Sequence, residues 1–475
     1  MAADLMFASP AELAALVRSG ELSATELVTH SLERIEALDR QLGAFVQVDA
    51  DGALAAAAAI GRDDPRPFAG VPIAIKNNRP ARGLRLTQGS ALLRDHVAGY
   101  DHSVIRRLRE AGFVIVGTTK LPEFGILPVS EPLAYGPARN PWDTARTPGG
   151  SSGGAGAAVA SGMVPIAHGN DGGGSLRIPA ACCGLVGLKA QRHRVSTAPD
   201  LGSSQLVIDG VLTRTVADTA ALLDVLAGYE AGDAAWIPAP AEPFALAAQR
   251  APAGLRLALT TTPPIPDAAI DARCTQAARR AGALAESLGH GVEEVELPWS
   301  SAELQQLFLD YFAAQVASGI RWAASTVGRA KPLAADMEPL SWALWEHSLG
   351  LDAVGFQMVQ AELQARMRPL VAFLERYDAL ITPALAQRPL ALGALDSAAP
   401  EPMRTFRASG YFTPFTPIFN MCGLPALSLP LFHGDDGLPL GVQLVGGPAG
   451  EGPLLALAAA LEDAAPARTV RPPVS

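Results

Sequence analysis

Two glycine-rich segments place serine side chains where an oxygen nucleophile could act. The first, TPGGSSGGAGAAVASG over residues 147–162, contains Ser151 and Ser152, and the second ends with Ser175 directly after three glycines at 172–174. Glycine lets the backbone approach a substrate closely and aims consecutive N–H groups at one point, as an oxyanion hole requires. These residues predict attack by a serine oxygen on a carbonyl carbon.

The same glycine-rich composition also suits a phosphate cradle, which binds nucleotides through backbone donors. Neither serine segment contains the pattern G-x-x-x-x-G-K-[ST]. Neither follows a strand in a βαβ unit with an acidic residue about 20 positions later, which a dinucleotide site would need. Nucleotide binding is therefore the weaker interpretation of the glycines.

A serine nucleophile needs a group that removes its proton, and the sequence offers two candidates. His168 is the histidine near the serine segments, but no G-x-S-x-G elbow accompanies it, which favours a packed histidine on a strand. Lys76 ends the short apolar run VPIAIK, which is typical of a buried strand. Burial would lower the pKa of this lysine, and its neutral amine could accept a proton.

The blocks around these residues resemble the amidase signature family and follow the family's order along the chain. GVPIAIKNN around Lys76 resembles the family's strand that carries its catalytic lysine. RNPWDTARTPGGSSGGAGAA from Arg139 resembles its serine-rich signature, and the 171–189 segment resembles its nucleophile block. The C-terminal GLPALSLP at 423–430 and GLPLGVQLVG at 437–446 are similar to further family blocks.

The resemblance implies a Ser-Ser-Lys catalytic triad. The nucleophile falls on Ser175, the bridging serine, set on a cis peptide, falls on Ser151, and the base falls on Lys76. The interval between the two serines, 175 − 151 = 24, agrees with the family's spacing.

The resemblance also implies a substrate-binding group around the triad. Its oxyanion donors fall on consecutive backbone amides, those of Gly172, Gly173, Gly174 and Ser175. Ser152 is implied as a supporting hydroxyl, and Gly125 as a main-chain carbonyl near the nucleophile.

Further residues near Ser175 indicate how its loop is held and which kind of substrate the protein takes. Asp171 and Arg177 flank the nucleophile, and the resemblance implies that a charge-assisted hydrogen bond between them holds the loop. Asn170 stands where most family members have threonine. This variant, together with LPVSEPLAYGPARNPWD from Leu127, resembles a bacterial subgroup, the 6-aminohexanoate-cyclic-dimer hydrolases, which open cyclic or linear amides.

The predicted activity is hydrolysis of carboxylic amide bonds through a serine acyl-enzyme, on apolar amides such as 6-aminohexanoate oligomers. Two alternatives stay open. One is the glutamine-hydrolysing subunit of an aminoacyl-tRNA amidotransferase, which shares the fold and the triad but works inside a complex. The other is a non-catalytic binding protein on the same scaffold, which is disfavoured because all three triad positions are filled. The predicted relay needs no cofactor and no metal, and no metal-ligand spacing is visible.

Charge and composition exclude several classes of partner. The 37 Lys and Arg against 47 Asp and Glu give a net charge of −10 without any basic run, which argues against nucleic acid and against anionic membranes. Neither a secretory signal nor an apolar run of about 18 residues is present. The cysteines are too few for a disulfide framework: Cys182, Cys183, Cys274 and Cys422. We therefore expect a cytoplasmic enzyme with a small-molecule amide substrate, and a homodimer is compatible with the sequence.

Strand and helix patterns alternate along the chain around these residues. Two capping-box pairs, Ser9 with Glu12 and Ser23 with Glu26, predict helices near the N-terminus. Further helices are predicted at 103–111, 268–288 and 454–461. Beyond VPIAIK, strands are predicted at 113–116, 255–259, 292–297, 377–382, 425–429 and 440–445. The alternation predicts an α/β fold with a large mixed, mainly parallel central sheet covered by helices on both faces.

We expect one amidase domain over residues 1–475, described in four parts. A helical layer spans 1–65 and the catalytic core spans 66–226. A more variable, aromatic-rich region on the substrate side spans 227–375, and the C-terminal part of the core spans 376–475. Aromatic side chains are dense between residues 299 and 356, where they indicate either helical core packing or a wall of the substrate pocket.

Overall fold

One large sheet forms the centre of the computed structural model, which describes residues 5–200, 204–299, 302–465 and 470–475. The sheet has eleven strands: β1 (Phe45–Val48), β2 (Pro72–Lys76), β3 (Val114–Thr119), β4 (Ile166–Asp171), β5 (Val186–Lys189), β6 (Ile208–Thr213), β7 (Arg256–Leu259), β8 (Gly291–Glu294), β9 (Ala379–Pro383), β10 (Ala426–His433) and β11 (Pro439–Gly446). Every residue of β2 to β6 and of β9 is buried. Because successive side chains of a strand point to opposite faces, both faces of the sheet are covered.

The sheet mixes parallel and antiparallel pairing in the order β1-β3-β2-β4-β6-β5-β10-β11-β9-β7-β8. Four neighbouring pairs among the described strands are parallel: β3 with β2, β2 with β4, β9 with β7, and β7 with β8. The other six are antiparallel. The predicted α/β class with a large mixed sheet is confirmed, whereas the expectation of a mainly parallel sheet is corrected. The tight turn between β10 and β11, for example, permits only antiparallel pairing.

The helices that cover the sheet include both predicted N-terminal capping boxes. The described helices are α1 (Pro10–Ser19), α2 (Ala24–Leu42), α3 (Ala50–Ala58), α4 (Ser103–Glu110), α5 (Gly153–Ala160), α6 (Arg177–Cys183), α7 (Val216–Leu226), α8 (Phe244–Ala247), α9 (Ala272–Ser287), α10 (Ala302–Thr326), α11 (Pro339–Ser348), α12 (Ala353–Leu374), α13 (Pro402–Phe412), α14 (Pro417–Met421) and α15 (Glu451–Ala464). The Glu12 N–H donates to Ser9 Oγ at 3.1 Å, and the Glu26 N–H donates to Ser23 Oγ at 3.1 Å. These bonds satisfy amide groups that a helix start otherwise leaves without a partner.

Strands β2 and β4 bring the chemically interesting segments together. They lie side by side and run parallel, so their carboxyl ends meet at the same edge of the sheet. The serine-rich segment leads into α5, which packs against both strands. Gly154 lets α5 also approach the chain beside β1 and β3, because a Cβ atom there would collide with the backbone of Ala44 and Lys120.

Three further features concern the rest of the chain. The 227–252 segment lies mostly exposed at the surface and contains the short helix α8. None of the described helices is both long enough and apolar enough to cross a membrane. The division of the domain into four parts stays a prediction.

Candidate active site

Three side chains from separate elements form one hydrogen-bonded chain at the edge of the sheet. Lys76 is the last residue of β2, Ser151 precedes α5, and Ser175 lies in the loop between β4 and α6. Lys76 Nζ lies 2.8 Å from Ser151 Oγ, and Ser151 Oγ lies 3.0 Å from Ser175 Oγ. The Gly150–Ser151 peptide bond is cis, as the family resemblance implies. This geometry gives a proton a continuous path from Ser175 to an amine.

Lys76 lies in an environment that disfavours its charged form. The side chain is fully buried, and its pKa is lowered to about 7, first by burial and then by the positive charge of Arg79. The carboxylates of Asp209 and Asp171 act in the opposite direction. Near neutral pH a substantial fraction of the amine is therefore uncharged and able to accept a proton.

A buried ion pair, Arg79 with Asp209, acts electrostatically on Lys76. Arg79 Nε donates to Asp209 Oδ1 at 2.9 Å, and Arg79 Nη2 donates to Asp209 Oδ2 at 3.0 Å. Burial alone would raise the pKa of Asp209, but Arg79 and His168 hold it well below its usual range. The sequence analysis missed this pair, because Arg79 and Asp209 lie 130 residues apart and neither belongs to a recognisable motif.

His168 has the position of a packed strand histidine. It lies within β4, is fully buried, and its Nε2 atom lies 3.3 Å from Asp209 Oδ1. Burial lowers its pKa and disfavours the charged imidazolium. No hydrogen bond joins its described ring atoms to either Ser151 or Ser175, so the geometry leaves Lys76 as the base candidate.

The loop before Ser175 is held by the carboxylate of Asp171. The Gly174 N–H donates to Asp171 Oδ1 at 2.7 Å, and the Leu176 N–H donates to Asp171 Oδ2 at 3.2 Å. The Gly174 N–H is therefore already used by Asp171, and the expected role of Gly174 as an oxyanion donor stays a prediction. Gly172 and Gly173 line the cavity together with Ser175.

Ser152 and Gly125 differ in whether they line the cavity beside Ser175. Ser152 is fully buried, donates to the carbonyl of Asn170 at 3.2 Å and is not among the cavity-lining residues. Its expected role as a supporting hydroxyl of the substrate-binding group stays a prediction. Gly125 does line the cavity and has a φ of 71°. A Cβ atom there would lie 3.3 Å from Ser151 Oγ, which places Gly125 directly against the triad.

Residues from distant elements help to hold the loop that carries Ser175. Arg177 pairs with Asp171 inside the core, as the resemblance implies. Arg177 Nη2 also donates to Asn420 Oδ1 at 2.6 Å, and Arg177 Nη1 donates to Gln443 Oε1 at 2.7 Å. Thr416 Oγ1 donates to the Gly173 carbonyl at 2.8 Å. The sequence analysis missed these three polar partners because each lies more than 200 residues from the loop in sequence.

A cavity of about 1040 Å³ opens above Ser175. One face of α10 forms a wall of it, through Leu304, Phe308, Tyr311, Phe312, Gln315 and Trp322. Leu304, Phe308, Phe312 and Gln315 follow one another at intervals of four, four and three residues, which is the spacing of one helix face and a signal readable from the sequence. Trp299 instead packs in the core against Phe415 and Phe419, with ring centroids 6.3 and 6.2 Å apart. The aromatic segment therefore contributes to core packing through Trp299 and to the cavity wall through side chains of α10.

Comparison with known proteins gives consistent matches over nearly the whole chain. A family model described as Amidase matches residues 26–455. A 6-aminohexanoate-cyclic-dimer hydrolase of Pseudomonas sp. (strain NK87) is 36% identical over 492 residues, covering 97% of this chain and 95% of the relative. A solved structure of 6-aminohexanoate cyclic dimer hydrolase complexed with substrate superimposes with a TM-score of 0.94 at 33% identity, covering 99% of both chains. The crystal structure of a glutamyl-tRNA(Gln) amidotransferase subunit from Thermotoga maritima superimposes with a TM-score of 0.78 at 29% identity, covering 98% of this chain and 96% of that chain.

Proposed function

The chain belongs to the amidase signature family of enzymes that hydrolyse amide bonds, and we propose that it works through an acyl-enzyme on Ser175 with Ser151 and Lys76 as its proton relay. One observation carries this proposal. The distances of 2.8 Å from Lys76 Nζ to Ser151 Oγ and 3.0 Å from Ser151 Oγ to Ser175 Oγ form an unbroken chain below the cavity.

In the first half of the proposed reaction, neutral Lys76 takes a proton from Ser151 while Ser151 takes one from Ser175. The Ser175 oxygen attacks the amide carbon and forms a tetrahedral intermediate. The N–H groups of Gly172, Gly173 and Ser175 are the proposed donors to its oxyanion, since no protein acceptor takes them within the described parts of the chain.

In the second half, the relay runs in reverse and then repeats. Ser151 hands its proton to the leaving nitrogen and takes one back from Lys76, so the C–N bond breaks and an amine leaves. A hydroxyl suits this bridging position because it donates and accepts a proton at the same time. Water then attacks the ester on Ser175 and loses its proton to the same relay, which returns a proton to the Ser175 oxygen as its bond to the acyl carbon breaks and the acid leaves.

The proposed substrates are apolar amides, cyclic or linear, of which 6-aminohexanoate oligomers are the working example. The cavity wall supports this class because it is built largely from apolar and aromatic side chains, among them Phe308 and Phe312, whose rings stack at 5.5 Å. Its volume of about 1040 Å³ reaches the upper end of ordinary ligand pockets. A substrate much larger than a simple primary amide would fit.

The glutamine-hydrolysing amidotransferase remains the second candidate. Glutamine is small and polar, whereas the wall of this cavity carries the rings of Phe308, Phe312 and Trp322. Release of ammonia from glutamine, or co-purification with partner subunits, would favour the amidotransferase. A non-catalytic binding protein would show neither amide cleavage nor labelling by a fluorophosphonate.

The test of the proposed function is a substrate panel applied to the wild-type chain and to Ser175→Ala. The panel contains aryl amides, fatty amides, cyclic dipeptide-like amides, 6-aminohexanoate oligomers and glutamine, compared by kcat/KM. We expect the wild-type chain to favour the apolar amides and the variant to lose turnover while keeping its circular dichroism spectrum. Full activity of Ser175→Ala would remove Ser175 as the nucleophile.

Location and assembly are part of the same proposal. We place the enzyme in the cytoplasm, which suits its four free cysteines. A homodimer stays a prediction that light scattering of the purified chain would test.

A further inference from the structure

The amine of Lys76 has a second close neighbour besides Ser151. Asn170 Oδ1 lies 2.7 Å from Lys76 Nζ, closer than the 2.8 Å that separates Nζ from Ser151 Oγ. Asn170 lies in β4, next to β2, and its side chain is almost fully buried. The amine is therefore held between one amide oxygen and one hydroxyl.

The orientation of the Asn170 amide is fixed by its other contacts. Asn170 Nδ2 lies 3.4 Å from Asp209 Oδ1 and donates to Asn78 Oδ1 at 3.0 Å. An ionised carboxylate can only accept a hydrogen bond. A reversed amide would set its oxygen against Asp209 and its NH₂ group against the amine. The pair of Asp209 with Arg79 thereby keeps the amide oxygen facing Lys76.

This orientation has a consequence for the amine in its neutral form. A neutral amine has two N–H bonds and one lone pair, and Asn170 Oδ1 can only accept, so it takes an N–H whether or not Lys76 is charged. We infer that Asn170 is a positioning residue that directs the lone pair of Lys76 at the Ser151 hydroxyl. The inference rests on the proposed function, because it assigns a role within the relay.

Asn170 acts on an amine that several charged or titratable groups also face. These groups are Arg79, Asp209, Asp171 and His168, and they come from β4, β6 and the segment after β2. Asn170 itself is uncharged, so its removal changes a hydrogen bond and leaves this set of charges in place. Loss of the acceptor destabilises the ammonium form of Lys76 more than the neutral form.

The experiment compares Asn170→Leu with Asn170→Thr in the full chain. In Asn170→Leu, we expect kcat to fall on the order of 10²-fold with little change in KM, because the amine is no longer aimed at Ser151. The acid limb of the pH profile of kcat/KM should move to lower pH, because the ammonium has lost an acceptor. Asn170→Thr offers the amine an uncharged hydroxyl oxygen as an acceptor and should retain more activity than Asn170→Leu.

Asn140→Leu is the matched control. It also removes a fully buried amide, one that donates to the carbonyls of Thr147 and Cys182 at 3.2 and 2.9 Å. It should lower Tm while leaving the acid limb in place. A wild-type kcat in Asn170→Leu, an unmoved acid limb, or equal losses in the two Asn170 variants would overturn the inference. Those results would leave the proposed function standing, since its own test is the loss of activity in Ser175→Ala.

Discussion

Asp171 and Arg177 form a fully buried ion pair in which Arg177 Nη2 lies 2.9 Å from Asp171 Oδ1 and Arg177 Nε lies 3.0 Å from Asp171 Oδ2. The same carboxylate accepts the N–H groups of Gly174 and Leu176. One charge pair therefore sets the shape of the loop that carries Ser175. The stability of the fold and the geometry of the nucleophile are linked through it.

We expect Asp171→Asn to destabilise the protein strongly. The change leaves the Arg177 guanidinium buried without its counter-charge, and removing one partner of a buried pair costs about 3–5 kcal/mol. Urea denaturation measures the free energy of unfolding. Asp435→Asn is the control, since its side chain is 85% exposed and its contact with Arg273 is worth at most about 1 kcal/mol. Equal free energies of unfolding in the two variants would contradict the stabilising role of the Asp171–Arg177 pair.

The same pair predicts how stability depends on pH. Burial alone would raise the pKa of Asp171, but Arg177 and Asn420 hold it well below its usual range. A carboxyl with a lowered pKa in the folded state stabilises that state above the unfolded pKa of about 4, and this stabilisation is lost as the pH falls further. Unfolding by acid should therefore be less steep in Asp171→Asn than in the wild-type chain.

Arg79→Gln should move the pH dependence of catalysis. With the pKa of Lys76 at about 7, kcat/KM should rise as the pH increases through this region, because the neutral amine is the active form. Removing the Arg79 charge stabilises the ammonium of Lys76, so the acid limb should move to higher pH. Arg82→Gln, at an exposed position nearby, should leave it unchanged. An acid limb at the same or lower pH in Arg79→Gln would refute this electrostatic argument.

Gly174→Ala and Gly173→Ala should behave differently although they are neighbours. Gly174 has a φ of 127°, and a Cβ atom there would collide with Thr416 Oγ1. At Gly173 the added atom would lie 3.5 Å from Phe308 Cζ, an ordinary contact. We expect Gly174→Ala to lose stability and most of its kcat, and Gly173→Ala to keep its Tm. Thermal unfolding and steady-state kinetics of both variants check this, and equal Tm values would contradict it.

Phe308→Ala should lower activity selectively toward apolar substrates. Phe308 lines the cavity next to Gly173 and stacks on Phe312. We expect kcat/KM for a hexanoyl anilide to fall roughly 10- to 200-fold, with a smaller change for acetamide. Trp342→Ala, in the same region but outside the cavity wall, is the control. Equal losses on both amides would show that Phe308 has no part in substrate selection.

Local patterns predicted the elements of the fold better than their pairing. The capping boxes at Ser9 and Ser23, the strand ending at Lys76 and the turn around Gly437 can each be read from a few neighbouring residues. The antiparallel pairing of β4 with β6 and of β5 with β10 depends on contacts between distant segments. The direction of these strands depends on tertiary packing, which a local sequence pattern does not predict.

In the candidate site, too, residues within motifs could be predicted from the sequence, whereas contacts between distant segments could not. Lys76, Ser151 and Ser175 stand in motifs that predict their roles, whereas the hydrogen bonds of Ser152 and Gly174 could be read only from the structure. Whether the Gly174 N–H faces a substrate or Asp171 depends on the fold of a single loop. Partners such as Asn420 and Gln443 come from other elements and carry no signal in their own segments.

The rate at which a fluorophosphonate labels Ser175, measured against pH, tests the relay most directly. Peptide mapping by mass spectrometry locates the adduct, and no substrate choice enters the measurement. We predict that the label falls on Ser175, that its rate rises as the pH increases through about 7, and that Lys76→Ala and Ser151→Ala each slow it strongly. A label on another residue, or a wild-type rate in Lys76→Ala, would contradict the account.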